Sequence, residues 1–382
     1  MPAFALDEDQ FRVQELVRRV ARERVALRAD EIDRTAQYPQ DMFDLLRELG
    51  LFTLPFPPEF GGSGSLLSAC VAIEEFGRVC YNTAYLLLVQ WTPIGAILAG
   101  GTEDQKQRYL PGLADGSRRA AFSLTEPQSG SDVARIRTRA KRTDGGYVIN
   151  GGKIWCTNAG QSDFFLVAAK TGDDDTPGAI NFFIVDAGTP GFTIGRKEDK
   201  LGARGVPSHA IFFEDVFVPE ENRLGAEGKG FKIVMEALSA SRPLIGARGV
   251  GLAQGALDKS IAFVKDRRAF GNRVADYQGI RWMLADMAIQ TEAARGLVYR
   301  AAAAVDDGVR GRELGSLAAA AKCFSSDTAM KVATDAVQLF GAAGISNEYP
   351  INRYFRDAKV LQIVEGTNQI QRNIIARNLV AD

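Results

Sequence analysis

Residues 134–157 read ARIRTRAKRTDGGYVINGGKIWCT. Small or apolar residues alternate with charged ones through ARIRTRAKRT, a two-residue period that belongs to a half-buried strand and not to a helix. Asp144-Gly145 and Asn150-Gly151 are dipeptides that favour turns, so the stretch predicts strands at ARIRTRAKRT, YVI and KIWCT joined by two tight turns. Three further strand candidates follow: FFLVAAK (164–170), AINFFIVDA (179–187) and AIFFEDVFVP (210–219). Residues 121–229 are therefore expected to form a middle antiparallel β-domain.

On both sides the period is helical. Upstream, DEDQFRVQELVRRVARERV sets Phe11, Leu16, Val17, Val20 and Val25 on one face, with Asp7 as its N-cap. LPFPPEFGGSGS (54–65) interrupts the helices. SLLSACVAIEEFGRV and NTAYLLLVQWTPIGAILAG resume them, the second apolar nearly all round and so expected to be buried. TEDQ at 102–105 has capping-box spacing. Downstream, helices are predicted over 231–241, 243–268, 277–306, 313–340 and 367–380, with Ala, Leu and Met at bundle spacing. The expected fold is α+β and multidomain: an N-terminal helical domain (1–120), the β-domain (121–229) and a C-terminal four-helix bundle (230–382). A chain of 382 residues is long enough for two or three such cores.

The 46 basic and 47 acidic side chains nearly cancel, which gives no electrostatic footprint for nucleic acid or an anionic membrane. Cys70, Cys80, Cys156 and Cys323 form no CxxC pair, and His209 is the lone histidine, so no metal site is expected and the thiols point to a reducing, cytoplasmic compartment. The opening MPAFALDEDQ is acidic and lacks an apolar signal core. TGDDDTPGA (171–179) reads as an exposed loop. His209 is expected near a strand without a catalytic partner, and Cys156 is expected to pack inward.

One residue does not fit a purely structural reading. In VLQIVEGTNQIQR (360–372) the carboxylate of Glu365 follows an apolar run and precedes a glycine. A desolvated carboxylate carries a large energetic penalty or takes up a proton, so Glu365 is either a stray surface charge or a base tuned by its surroundings.

Four stretches, FSLTEPQSGSD (122–132), KIWCTNAG (153–160), RRAFG (267–271) with QLFGAAG (338–344), and RDAKVLQIVEGTNQIQR (356–372), together resemble the acyl-CoA dehydrogenase family. These are flavoenzymes that oxidise the α,β bond of an acyl thioester. The resemblance implies FAD as cofactor and a homotetramer. It places Phe122, Leu124 and Thr125 along the isoalloxazine, and Trp155 and Thr157 against the face opposite the substrate. Ser131 matches a serine near the thioester-linked arm of CoA and the cofactor. Arg267 and Phe270, with Gln278, match positions that hold the FAD of a neighbouring subunit, and a guanidinium fork suits its diphosphate. Gln338 and Gly341 match partners on that same FAD, while Ala342 replaces a glycine common in the family. Thr367 and Gln369 match further FAD contacts at the start of the last helix.

Arg242 matches an arginine close to the catalytic carboxylate. Two departures stand beside it: Ser239 where relatives often carry an acid, and Val364 where a tyrosine commonly precedes the glutamate. Val364 leaves room for a branched or cyclic acyl group. The resemblance makes Glu365 the base for the α-proton, with flavin N5 as hydride acceptor. Gly366 leaves the backbone beside it unobstructed for the thioester oxygen. Some relatives carry the base just before the arginine; here that residue is Ser241. The implied reaction converts an acyl-CoA to its trans-2-enoyl-CoA, as in β-oxidation of fatty acids, and passes electrons to an electron-transfer flavoprotein. A dehydrogenase acting on carrier-protein thioesters in biosynthesis, and an O₂-using oxidase, remain as alternatives on the same scaffold.

Overall fold

A computed structural model of the chain describes residues 6–172 and 175–380. The first five residues of the opening segment and Asp173 and Asp174 of the acidic loop lie outside the described residues.

The N-terminal part is helical: α1 (Glu8–Val20), α2 (Ala29–Thr35), α3 (Gln40–Glu48), α4 (Leu66–Gly77), α5 (Tyr81–Gly100) and α6 (Glu103–Ala114). Asp7 closes a full capping box with Gln10, and Thr102 does the same with Gln105, so both start signals act as the spacing predicts. Val17, Val20 and Val25 are buried, but Phe11 is 53% exposed. The apolar face of α1 is covered only along its second half, where α1 meets α4.

The β-domain holds β1 (Ala120–Ser123), β2 (Arg139–Thr143), β3 (Gly146–Thr157), β4 (Phe164–Lys170), β5 (Ile180–Asp186), β6 (Phe192–Lys197), β7 (Ser208–Pro219) and β8 (Arg223–Leu224). They form one sheet in the order β6-β7-β3-β2-β4-β5-β8, with β1 added beside β4. Most pairs are antiparallel, while β1–β4 and β2–β4 run parallel. Asp144-Gly145 makes the β2–β3 turn as expected. Asn150-Gly151 does not turn the chain: β3 runs through it, with a bulge against β7. There the Asn150 side chain bonds the Asp215 backbone N–H and side chain at 2.9 Å each. Gly151, at φ 138°, lets Thr138 approach so closely that a Cβ would sit 2.7 Å from its Cα. The dipeptide thus serves a close backbone crossing and not a hairpin. Within ARIRTRAKRT only residues 139–143 pair as a strand; 133–135 form a 3₁₀ turn.

The C-terminal part comprises α7 (Gly230–Asp266), the short hairpin β9 (Arg268–Ala269) and β10 (Asn272–Arg273), α8 (Gln278–Asp306), α9 (Gly311–Phe340), α10 (Ala342–Ile345), α11 (Ile351–Leu361) and α12 (Asn368–Leu379). The two helices expected over 231–241 and 243–268 are one, running through Pro243. Proline removes one N–H from the ladder, but α7 is clamped by α9, α4, α5 and α8 along its length, and that packing overrides the break. The helix α11 has no counterpart among the sequence-predicted elements, and it proves to be the arm that carries Glu365. The second core, inside the sheet, includes Cys156; the first runs from the N-terminal helices through α7 and α9.

Candidate functional site

Glu365 lies in the turn between α11 and α12, with φ 55°, and Gly366 follows at φ 87°. A non-glycine residue in the left-handed region carries about 1–3 kcal/mol of strain and persists only where its surroundings hold it. The hold comes from α9. Lys322, 0% exposed, donates from Nζ to the Gly366 carbonyl at 2.8 Å and to Asn368 Oδ1 at 2.9 Å. Gln371 Nε2 donates to the same Gly366 carbonyl at 3.0 Å, and Ser326 Oγ donates to Asn368 Oδ1 at 3.0 Å. Asn368 Nδ2 in turn donates to Asp327 at 2.7 Å. Gly366 is required here: besides its positive φ, a Cβ would stand 2.7 Å from Gln371 Nε2. Thr367 caps α12 by accepting from the Ile370 N–H. Among the described residues, the Glu365 N–H has no backbone acceptor.

Burial raises Glu365 above the ordinary carboxylate range, against the opposing pull of Arg248, Arg242 and Lys322. The residue is half-buried, so it is not a stray surface charge. It is a carboxylate made more basic by its setting, with three cations opposing that rise. Arg242, on α7, is 7% exposed, donates to Ser239 Oγ at 3.1 Å, and is pushed down by burial while Glu365 pulls it up. Ser239, noted in the sequence as a missing acid, is thus the acceptor that orients this arginine. Val364 is half-buried beside Glu365.

The β-domain brings a second group together. Ile154 N–H donates to the Thr125 carbonyl at 2.9 Å, which lays the 122–125 stretch beside 153–157. Trp155 is 51% exposed and has φ 60°, so a large aromatic face is turned out of the sheet by a strained backbone. Leu124 and Thr125 are partly exposed. Thr157 shares a 3.2 Å hydroxyl contact with Ser208. Phe122 is partly exposed as well and stacks on Phe182 at 5.6 Å. Ser131 lies on the exposed bend beyond.

A buried ion pair fixes this arrangement, and the sequence reading passed over it. Lys153, 1% exposed, donates to Glu126 at 2.7 Å and to the Leu124 carbonyl at 3.2 Å. Glu126 also accepts from the Thr138 and Arg137 N–H groups at 3.0 and 2.6 Å. Burial alone would raise Glu126, but Lys153 and these donors outweigh it and hold it at about 2. Both residues stood inside quoted stretches, yet 27 residues of separation carry no local signal of pairing. Cys156 packs inward, its thiol pushed up to about 12 by burial. His209, on β7, is lowered by burial and sits against Gly160 without a catalytic partner.

The remaining predicted residues lie elsewhere. Arg267, Phe270 (96% exposed) and Gln278 cluster around the β9–β10 hairpin; Gln338 and Gly341 end α9; Gln369 faces out of α12. Arg267 and Phe340 line one open recess of about 450 Å³. Gln338 is sixteen residues beyond Lys322 on α9, roughly 24 Å along the helix. That end of the bundle is thus remote from Glu365 of the same chain. Arg248 and Tyr81, also close to Glu365, were missed as well. A charge inside the small, apolar run IGARGVGLAQG is the same kind of signal that singled out Glu365.

Family models for acyl-CoA dehydrogenases match the chain three times: the N-terminal domain over residues 7–117, the middle domain over 121–216 and the C-terminal domain over 228–380. The cyclohexane-1-carbonyl-CoA dehydrogenase of Geobacter metallireducens is 42% identical over 383 residues, covering 99% of each chain. Butyryl-CoA dehydrogenase from Megasphaera elsdenii superposes with a TM-score of 0.95 at 38% identity, over 99% of this chain and all of that one. A chain solved in work on the electron transferring flavoprotein of Acidaminococcus fermentans has the same TM-score, 40% identity and the same coverage.

Proposed function

Since the chain belongs to the acyl-CoA dehydrogenase family, we propose that it dehydrogenates an acyl-CoA thioester between the α and β carbons, with Glu365 as the base. The observation that carries this reading is the held geometry of Glu365: a carboxylate raised by burial, on a strained turn fixed by Lys322 and Gln371. A general base for a weakly acidic α-proton needs such a raised pKa and a fixed position. The Glu365 N–H is a donor for the thioester oxygen as enolate charge develops there. Arg242, oriented by Ser239, adds positive potential beside the carboxylate.

The residues present fit FAD. Trp155 offers a bare aromatic face, with Thr125 and Thr157 hydroxyls beside it and the Glu126–Lys153 pair locking the loop. Phe122, Leu124 and Thr125 would hold its ring edge, and Thr367 and Gln369 lie at the start of α12, where helix N–H groups favour phosphate. Arg267, Phe270, Gln278, Gln338 and Gly341 would hold the FAD of a second subunit. When bound, FAD supplies the acceptor for the β-hydride. The exposed Phe270, Trp282 and Ile289 (96%, 62% and 65%) support a homo-oligomer, read as a tetramer. An electron-transfer flavoprotein is the proposed acceptor, in keeping with the Acidaminococcus likeness. Four free, buried cysteines favour a reducing compartment.

Val364, with no ring above the reacting carbons, favours a branched or cyclic acyl group, as does the likeness to the Geobacter enzyme. The test is an anaerobic panel of straight, branched and cyclic acyl-CoAs, following loss of the flavin's visible absorbance. Bleaching by acyl-CoAs that disappears in Glu365→Gln supports the reaction. Straight chains preferred by a wide margin, with Val364→Tyr neutral, would remove the branching claim.

A further inference from the structure

Arg248, on α7, is 0% exposed, and Nε, Nη1 and Nη2 all lack a hydrogen-bond partner. Its guanidinium lies over the rings of Tyr81 and Tyr85, 4.6 and 3.9 Å from their centroids. Those contacts set aromatic rings against the guanidinium but give its N–H groups no acceptor, although a guanidinium presents five donors. Tyr81 is 1% exposed, and its hydroxyl is likewise without a partner. By contrast Arg353, also buried, donates to Asp30 at 3.1 Å, and buried Arg242 donates to Ser239. The orphaned pair is also close to the base, because Arg248 opposes the rise of Glu365 more than Arg242 or Lys322 does, and Tyr81 feels Glu365 as well.

A fixed cation with unmet donors beside the reacting centre is built for an anion that arrives with the ligand. We propose that the acyl group carries a second carboxylate, bound by Arg248 and Tyr81, so that the substrate is the CoA thioester of a dicarboxylic acid. The proposal rests on the reading of Glu365 as the base of an acyl-CoA dehydrogenase. The tyrosine rings help close the guanidinium off from bulk water. A neutral alkyl end at the same place would leave the guanidinium unpaired, so the site selects against it.

The experiment uses the FAD-loaded protein with succinyl-, methylsuccinyl-, glutaryl- and adipyl-CoA, each set against the neutral acyl-CoA of the same carbon skeleton. Rates come from anaerobic flavin bleaching. Affinities come from calorimetry with non-oxidisable thioether analogues that end in carboxylate or in carboxamide. The expected result is one dicarboxylic thioester favoured over its neutral counterpart by roughly a hundredfold in kcat/KM, with a matching preference in binding. In Arg248→Gln that ratio falls to about one, and Arg248→Lys keeps part of it. Neutral thioesters outrunning every dicarboxylic one, or a ratio unchanged in Arg248→Gln, overturns the proposal while leaving Glu365 as base. Failure of every thioester to bleach the flavin overturns the parent reading and this one with it. If Arg248→Gln does not fold, the wild-type calorimetric pair alone decides.

Discussion

Replacing Lys322 by methionine tests whether α9 holds the candidate base in place. The ammonium makes two charge-assisted hydrogen bonds, to the Gly366 carbonyl and Asn368 Oδ1, worth together about 3–6 kcal/mol. Against this stands its own burial, which brings Lys322 down to about 8 from 10.5, equivalent to about 3 kcal/mol of penalty on the charged form. Neither acceptor is orphaned by the change, since Gln371 still reaches Gly366 and Ser326 still reaches Asn368. The two terms leave a net destabilisation of about 0–3 kcal/mol. The functional effect is expected to be larger than the stability loss implies, because the strained φ at Glu365 loses its anchor and a shift of an ångström can lower a rate about a hundredfold. Urea unfolding and anaerobic stopped-flow bleaching with the best acyl-CoA measure the two quantities on one preparation. Lys322→Met is predicted to lose at most about 3 kcal/mol of stability and to slow flavin reduction about ten- to a hundredfold at little change in flavin content. A rate within twofold of wild type, alongside the predicted stability loss, would refute the claim that this lysine positions the base.

Three further outcomes are expected. Glu365→Gln should keep the yellow complex and abolish dehydrogenation, while in wild type kcat/KM should fall as pH drops through a pKa above the usual carboxylate range; a kcat/KM profile without that acidic limb would contradict the raised base. The Glu126 carboxyl, lowered from 4.5 to about 2 in the folded protein, contributes about 3 kcal/mol that is fully present above the unfolded pKa and is lost as pH falls toward 2, about 2 kcal/mol of it by pH 3. Urea unfolding at pH 6 and pH 3 should show that loss in wild type and a smaller one in Glu126→Gln. Trp155→Ala removes a side chain that is 51% exposed, so its unfolding midpoint should move little, yet its flavin content after dialysis should drop severalfold; unchanged flavin retention would place Trp155 outside the cofactor site.

Much of this protein is legible locally. Alternation in ARIRTRAKRT and the Asp144-Gly145 turn reveal the β-domain, the capping boxes at Asp7 and Thr102 start their helices, and helical periodicity marks the bundle, because each signal is carried by neighbours within one or two turns of chain. Glu365 was visible too, as a carboxylate in an apolar setting. What the chain could not disclose by itself is whatever depends on residues far apart meeting in space. Pro243 lies inside a continuous helix because four neighbouring helices clamp it, and Asn150-Gly151 bulges instead of turning because Thr138 and Asp215 cross there. Lys322 reaches Gly366 across 44 residues, Lys153 meets Glu126 across 27, and Arg248 is left unpaired over Tyr81 and Tyr85. Desolvation and pairing are properties of a place, not of a sequence window, so the basicity of Glu365 and the demand of Arg248 for an anion were decided only once the helices had closed around them.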